Sequence, residues 1–348
     1  MIAIKYSGKV LPKYEALCET LQNKVATWIR LGYVGDRRSN VPMDVESMRF
    51  FRLLNRKDSI KKLANMPASA LEGYMDLIEK HFPDLATDRT AKESDPKANV
   101  SPLYKCITKA FSNYGYDSDT FPSEELMDDL DLTVCPYCNR NFVKSIQVRQ
   151  NAQGKDVYVR GQLDHFYPRS LYPYLAICKH NLVPSCPSCN GAAGKHFDNT
   201  RTKGVVNPYT LADSNGLKFK MSIARKGFAD LRTCAQAISI DVDCTENPAL
   251  ANNEDIFHLK KLYSTHTDYA AEVYYKSILR TPQAYKRFIG KKMIENGMKY
   301  TDADFERLLL GNYGREEDYH KRPLSKFCAD IARQKKLIRT GGRYLFHE

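Results

Sequence analysis

Residues 181–195 read NLVPSCPSCNGAAGK, and this stretch decides the fold together with CPYCNRNF at 135–142. Each stretch holds a Cys-x-x-Cys knuckle with proline after the first cysteine: Cys135 and Cys138 in one, Cys186 and Cys189 in the other. Four thiolates paired in this way predict one closed, tetrahedral and therefore structural zinc site per chain. A thioredoxin-like redox role would need a βαβ context, which the surrounding sequence does not show.

The segment between the knuckles predicts a β-hairpin followed by a short helix. FVKSIQVRQ (142–150) and VYVRGQLDHF (157–166) alternate and are rich in Val and Ile, and the turn-like NAQGKD (151–156) separates them. Residues 186–198 favour a short helix, with Ser185 as its cap and Pro187 in its first turn. We therefore expect zinc to hold the entry of the hairpin to the start of the helix.

Asp164, His165 and Asn190 provide the chemistry that this arrangement predicts. Asp164 and Asn190 supply oxygen ligands from the strand and the helix, which suit one Mg²⁺ or Mn²⁺ with open coordination positions. The end of the strand presents His165 next to Asp164. A metal ion with open positions can take up phosphate oxygens.

Along the chain the order is hairpin, Asp164-His165, loop, Asn181, second knuckle, Asn190 and short helix. This order resembles that of the HNH endonucleases, the ββα-metal nuclease family, in a form with a four-cysteine zinc clamp. The resemblance covers residues 133–197. It implies that Asp164 and Asn190 bind the catalytic metal, that His165 is the general base, and that Asn181 braces the loop behind it. It also implies products with 5′-phosphate and 3′-hydroxyl ends. The sequence departs from the family where the loop PRSLYPYLAICKH (168–180) replaces a glycine-rich turn.

Two further departures follow Asn190. Many members place lysine three residues after the third motif position, where this chain has Ala193, and Lys195 comes two residues later. Some members have a second helix histidine where this chain has Gly194, so His196 is not its equivalent. His180, next to Asn181, is interpreted as structural.

A weaker resemblance extends to GNYGREEDYHKRPLSKF at 311–327. Together with the knuckles it is similar to the HNH nuclease subunits of Septu-type and retron-associated anti-phage systems, which work beside an ABC-type ATPase. The resemblance implies an effector that cleaves phage or plasmid DNA. This chain has no Walker A loop, so any ATP dependence would come from the ATPase partner.

The 348 residues carry a net charge of +12, unevenly distributed. The charges of residues 1–130 cancel, whereas residues 131–210 and 211–348 each carry +6. A basic centre suits a polyanion, and side chains that contact phosphates do so without reading sequence. The side chains expected to bind the substrate backbone are Arg140, Arg169, Lys195, Arg201 and Lys203.

The predicted fold class is α+β, with a zinc-clamped ββα-metal core between mainly helical flanks. Residues 1–130 are predicted to be helical and to dock a partner, 131–210 to form the nuclease core, and 211–348 to form strands and then helices. The specific helices are predicted at 12–32, 44–65, 69–82, 253–280, 283–297, 302–311 and 323–338, with a loop at 83–102 and strands in 205–245. The sequence has no signal-peptide core and no apolar run long enough for a membrane span, so a cytoplasmic location is expected.

Two alternatives stay open. A non-catalytic, zinc-stabilised nucleic-acid-binding or assembly protein would use the same knuckles and the same positive charge. An HNH nuclease that acts on RNA would use the same site, because the site recognises only a phosphodiester.

Overall fold

The computed structural model describes residues 1–5, 8–152, 154, 156–224, 230–278, 283–299 and 301–338, without the side chains of 283–286. The chain forms two compact units. The core unit contains Ile4–Asp131 and Lys144–Thr210, and the C-terminal unit contains Met1–Ala3, Leu132–Val143 and Leu211–Glu348. In the described part of the chain, no helix is both long and apolar enough to cross a membrane. The mixture of helices and small sheets is that of an α+β protein.

The N-terminal part of the core unit is helical, as predicted. Gly32 ends the first helix in the left-handed conformation, as its position after the apolar repeat indicates. The predicted helix at 44–65 is two helices with a break at residues 55–58. The helices are α1 (Pro12–Leu31), α2 (Val45–Leu54), α3 (Ser59–Ala64), α4 (Leu71–His81), α5 (Pro83–Ser94), α6 (Pro102–Thr108) and α7 (Ser123–Leu130).

The predicted loop at 83–102 is wrong, because α5 occupies most of it. Pro83 and Pro102 stand at the first turns of α5 and α6, where the missing N–H of proline costs no helical hydrogen bond. Asp88 faces inward from α5 and accepts hydrogen bonds from the backbone N and the hydroxyl of Ser101, at 2.9 and 2.6 Å. The polar composition of this stretch therefore belongs to a helix and to the cap that follows it.

The strands of the core unit form antiparallel pairs: β1 (Tyr33–Gly35) with β2 (Asn40–Pro42), β3 (Ile146–Gln150) with β4 (Asp156–Val159), and β5 (Gln162–His165) with β6 (Leu182–Ser185). The predicted hairpin is confirmed in β3 and β4. Its expected continuation to residue 166 is wrong, because residues 162–165 pair with β6 instead. All of β6 is buried whereas β3 is exposed throughout, so burial of apolar surface favours the β5–β6 pairing.

Three tyrosines tie the N-terminal helices to the rest of the core unit. The hydroxyl of Tyr14 donates to the carbonyl of Ile177, that of Tyr104 to Ser170 at 2.6 Å, and that of Tyr116 to Leu163 at 3.1 Å. Helical residues before 131 thus support the β5–β6 region directly. The three functional segments with boundaries at 130 and 210 stay a prediction.

The C-terminal unit contains the strand pair predicted in 205–245, β7 (Lys218–Ile223) with β8 (Ile238–Asp243), and α9 (Leu231–Gln236) lies between them. The predicted helix at 253–280 is three helices, since the chain turns at His258 and again at 264–266; residues 279 and 280 lie outside the described residues. The rings of Phe219, Tyr263 and Phe327 pack together in the core. The helices are α10 (Leu250–Phe257), α11 (Leu259–Tyr263), α12 (Thr267–Ile278), α13 (Gln283–Glu295), α14 (Asp302–Leu310) and α15 (Ser325–Gln334), and the last three match predicted helices.

Candidate functional site

The β5–β6 pair presents the Asp-His dipeptide at its end. Asp164 pairs with Val183 and His165 with Leu182, and the two polar side chains belong to residues that are only 3% and 8% exposed. A short helix, α8 (Pro187–Asn190), follows β6 directly. Pro187 lies in its first turn as predicted, but Cys186 occupies the N-cap position that was expected for Ser185. The local order is therefore strand, strand, helix, with the two buried polar residues at the end of the first strand.

The imidazole of His165 has one defined tautomer in this environment. Its Nε2 lies 2.9 Å from the carbonyl oxygen of Ala176. A carbonyl oxygen only accepts, so Nε2 carries the proton and Nδ1 is an acceptor. Burial lowers the pKa of His165 to about 3, with smaller lowering effects from Arg169 and Lys195. The ring is therefore neutral at pH 7, with a lone pair on Nδ1.

Asn181 spans the loop that follows His165. Its side-chain Oδ1 accepts from the backbone N of Tyr167 at 2.8 Å, and its Nδ2 donates to the carbonyls of Tyr167 and Leu175 at 3.0 and 3.3 Å. Its backbone carbonyl accepts from Phe166 N at 2.8 Å. Asn181 is fully buried, so these bonds do not compete with water. This side chain therefore helps to fix the loop that carries Ala176, the partner of His165.

Lys195 reaches back into the strand pair and binds Asp164. Its Nζ lies 2.9 Å from Asp164 Oδ1 and donates to the carbonyl oxygen of His165 at 2.9 Å. Lys195 is 1% exposed. This placement disagrees with the expected contact of Lys195 with the substrate backbone, because its ammonium is enclosed by the protein.

A tight turn after α8 delivers Lys195 to this position. The backbone N of Lys195 donates to the carbonyl of Cys189 at 2.8 Å. A Cβ on Gly194 would lie 2.3 Å from that carbonyl oxygen, and a Cβ on Gly191 would lie 2.6 Å from the carbonyl oxygen of Pro187. Both positions therefore need glycine for close backbone approach. Sequence reasoning missed the role of Lys195, and the two glycines before it are the signal that could have indicated it.

Asn190 contacts β5 through a residue that the sequence did not single out. Its Nδ2 donates to Gln162 Oε1 at 2.9 Å. Gln162 lies two residues before Asp164, hence on the same face of β5. Asn190 is thus held beside the strand that carries Asp164. Its other side-chain atom, Oδ1, is an amide oxygen and hence a possible metal ligand.

The other cations expected to contact the substrate have protein partners. Arg169 lies 2.7 Å from both carboxylate oxygens of Asp117, and Lys203 lies 2.8 Å from Asp198. Arg201 pairs with Glu79 at 3.4 Å and with Asp76. In the C-terminal unit, Arg140 Nε lies 2.9 Å from His266 Nε2. Only Arg169 among these four acts electrostatically on His165, whose pKa it lowers.

The four knuckle cysteines form one buried cluster. The sulfur atoms of Cys135, Cys138, Cys186 and Cys189 all lie within 4.8 Å of one another. When four sulfurs each lie about 2.3 Å from a tetrahedral zinc ion, the distance between any two sulfurs is about 3.8 Å, which is within this limit. Thiolates are also donors that structural zinc prefers. The donor set and its burial therefore fit zinc.

Residues of the C-terminal motif at 311–327 brace the first knuckle. Asn139 Oδ1 accepts from the backbone N of Lys326 at 3.0 Å, and its Nδ2 donates to the carbonyl of Tyr319 at 2.8 Å. The backbone N of Leu324 donates to the carbonyl of Asn139 at 2.7 Å. The hydroxyl of Tyr263 donates to the carbonyl of Cys138 at 2.6 Å. The motif thus supports the metal-binding turn within the C-terminal unit.

Two curated proteins are similar to parts of the chain. The Septu protein PtuB of Bacillus thuringiensis is 37% identical over 57 residues, which are 16% of this chain and 21% of that protein. Protein ea31 of Escherichia phage lambda is 25% identical over 170 residues, which are 48% of this chain and 50% of that protein. The matches span about a fifth and half of the two relatives. No protein-family profile and no solved structure matches the chain.

Proposed function

We propose that this protein is a metal-dependent HNH endonuclease that hydrolyses phosphodiester bonds of DNA. One observation carries the proposal: the β5–β6–α8 unit presents a neutral, buried imidazole next to a buried carboxylate, and the chain after the second knuckle returns to the same strand. A histidine whose pKa is shifted by burial, next to a buried carboxylate at a strand end, is typical of catalytic sites.

His165 acts as the general base in this proposal. Its Nε2–H bond to Ala176 fixes the ring, so that Nδ1 can accept a proton from water. Asn181 holds the loop that carries Ala176, and therefore sets the direction of the imidazole. The same bond to Ala176 stabilises the imidazolium after it has taken the proton, as the direction of its effect on the pKa of His165 indicates.

Asp164 and Asn190 would hold the catalytic Mg²⁺ or Mn²⁺. The fit of Asp164 to a cation is supported by the ammonium of Lys195, which already occupies a position 2.9 Å from its carboxylate. A divalent ion bound there supplies charge neutralisation for the phosphate and for the departing oxygen. Asp164 would offer the ion a carboxylate oxygen, and Asn190 would offer its Oδ1, since its Nδ2 is the atom that binds Gln162.

The similarity to the Septu protein PtuB supports an anti-phage role for the nuclease. We propose that it acts on phage or plasmid DNA in the cytoplasm, together with an ABC-type ATPase that docks on the N-terminal helices. Because those helices also support the β5–β6 region, docking is better tested by single substitutions on their exposed faces than by deleting them. Val45 on α2 is 81% exposed, and Val45→Asp changes that surface without touching the core.

The enclosed Asp164–Lys195 pair favours a second candidate, a non-catalytic zinc-stabilised nucleic-acid-binding or assembly protein. Such a protein would keep the pair permanently as a structural contact. An HNH nuclease that acts on RNA is the third candidate, and it differs from the first only in its substrate.

Cleavage of supercoiled plasmid in Mg²⁺ or Mn²⁺ tests the proposal, with and without the ATPase. The wild type is expected to nick or linearise the plasmid and His165→Ala to be inactive with its zinc retained. His81→Ala is the matched control, because His81 is an exposed histidine at the end of α4. A zinc-loaded, folded wild type that cleaves neither plasmid nor a labelled RNA panel would contradict the nuclease and leave the binding protein.

A further inference from the structure

A cleft of about 790 Å³ opens in the core unit beside the candidate site. Its walls come from residues 92–96 at the end of α5, from residues 104–117, from residues 169–171 and from residues 196–203. Arg169 belongs both to this cleft and to the surroundings of His165. Its guanidinium lies 5.1 Å from the ring centre of Tyr116, and that ring lies 4.3 Å from the ring of His165. The cleft therefore begins one aromatic ring away from the general base.

An exposed aromatic pair stands at the edge of the cleft. The rings of His196 and Phe197 lie 4.0 Å apart, and Phe197 is 66% exposed. His196 has a φ of 48°, a left-handed conformation that costs conformational free energy in a residue other than glycine. Residues with such backbone conformations cluster at ligand-binding sites. Here the conformation of His196 places the rings of His196 and Phe197 in solvent at the edge of the cleft.

The charges of the cleft cancel in number. Lys92, Arg169 and Lys203 are matched by acidic lining residues, with Arg169 paired to Asp117 and Lys203 to Asp198. A surface that follows several phosphates needs a surplus of cations, because phosphate binding depends on net positive charge. Cancelled charges beside an exposed ring suit the base and sugar of a nucleotide, since every base has a face that stacks on an aromatic side chain. A volume of this size lies within the range of ligand pockets.

We propose that the cleft binds one unstacked nucleotide of the substrate strand, adjacent to the scissile phosphate, with its base against Phe197. The inference rests on the proposed nuclease function, and it names the substrate class as single-stranded or locally unpaired DNA. A base can enter the cleft only when it has left its duplex stack, so unpaired DNA binds more tightly than perfect duplex.

The test measures binding rather than cleavage, with full-length His165→Ala and oligonucleotides that carry one 2-aminopurine. Unpaired oligonucleotide is expected to bind more tightly than duplex, with a change in 2-aminopurine fluorescence when the probe lies next to the cleavage position. Adding Phe197→Ala is expected to weaken binding about tenfold and to abolish that change, because stacking on one aromatic side chain is worth roughly this much. Phe288→Ala is the matched control, because Phe288 is another exposed phenylalanine, in α13.

Each outcome supports or overturns at least one of the two proposals. If oligonucleotide binding depends on Phe197 but the wild type does not cleave, nucleotide binding in the cleft is supported and nuclease activity is overturned. Cleavage by the wild type with binding indifferent to Phe197 supports the nuclease and overturns the cleft. Binding of AMP or ATP that depends on Phe197, without tighter binding of unpaired strands, identifies a free nucleotide as the occupant. It overturns the proposal that a nucleotide of a DNA strand enters the cleft. Absence of any nucleic-acid binding overturns both.

Discussion

The ammonium of Lys195 lies 2.9 Å from the carboxylate of Asp164, and both side chains are almost fully enclosed. Two opposite charges that leave water together lose hydration, and they remain stable only because each compensates the other. The second hydrogen bond of Lys195, to the carbonyl of His165, ties the pair to the backbone of the Asp-His dipeptide. A cation is thus already built into the place where the proposed function requires one.

Replacing Lys195 by methionine should convert Asp164 into a stronger metal site. The variant keeps an unbranched side chain, one atom shorter than lysine, but leaves a buried carboxylate without its ammonium, which should lower the free energy of unfolding by about 3–5 kcal/mol. Mn²⁺ should restore part of this loss, and the affinity for Mn²⁺ measured calorimetrically should exceed that of the wild type. Thermal unfolding with and without Mn²⁺ checks both effects.

Lys144→Met is the control for that experiment. Lys144 pairs with Asp131 at 3.0 Å on the surface of the same unit, where an ion pair contributes about 0–1 kcal/mol. It should therefore unfold like the wild type and respond to Mn²⁺ in the same way. If Lys195→Met is destabilised and Mn²⁺ gives it no more protection than it gives Lys144→Met, Asp164 is not a metal ligand.

The local parts of this fold were predictable because their signals are short. The Cys-x-x-Cys spacing, the alternation of 146–159 and the glycine after α1 each act over a few residues. The pairing of β5 with β6 across the bulky 168–180 loop depended on which strand could be buried. Burial of a strand depends on packing against residues that are distant in the sequence. The same holds for α5, whose polar sequence becomes helical because Leu85 and Asp88 face the unit's interior.

The candidate site also contains residues that the sequence could indicate and contacts that only the fold reveals. Asp164, His165 and Asn190 could be selected from their residue types and their order in the chain. The partner of Asp164 could not, because the position of Lys195 depends on the close turn that Gly191 and Gly194 allow. The role of residues 311–327 could not be read from the sequence either, since their bonds to Asn139 join positions far apart in the chain.

Zinc should be needed for folding and should bind independently of His165. Purified protein is expected to contain about one zinc per chain, and Cys135→Ser or Cys186→Ser should release it and unfold the protein. Cys244→Ser is the matched control, because Cys244 lies outside the cluster and is partly exposed. Zinc content by mass spectrometry and circular dichroism check this. Loss of zinc from His165→Ala would contradict the separation of structural and catalytic sites.

Acidification should destabilise the protein through His165. Burial lowers the pKa of this ring to about 3, from about 6.5 in the unfolded chain, so the unfolded state takes up the proton first. Stability is then complete above pH 6.5 and is lost as the pH falls from 6.5 towards 3, by about 1.4 kcal/mol for each pH unit. Between pH 7 and 5 the wild type should lose about 2 kcal/mol more than His165→Gln. Urea unfolding of zinc-loaded protein at both pH values checks this, and equal losses would show that the ring is accessible to protons in the folded state.

Removing the amide of Asn181 should impair catalysis beyond its effect on stability. Asn181→Ala leaves the backbone N and carbonyl of Tyr167 and the carbonyl of Leu175 without this partner, at a cost of about 2–4 kcal/mol. The freed loop no longer holds the Ala176 carbonyl against His165, so kcat for plasmid cleavage should fall about 10–100-fold, with a smaller change in KM. Rates are compared at a temperature where circular dichroism shows both proteins folded, and Asn65→Ala, at an exposed amide after α3, is the control. A folded Asn181→Ala with unchanged kcat would mean that the direction of His165 is set without Asn181.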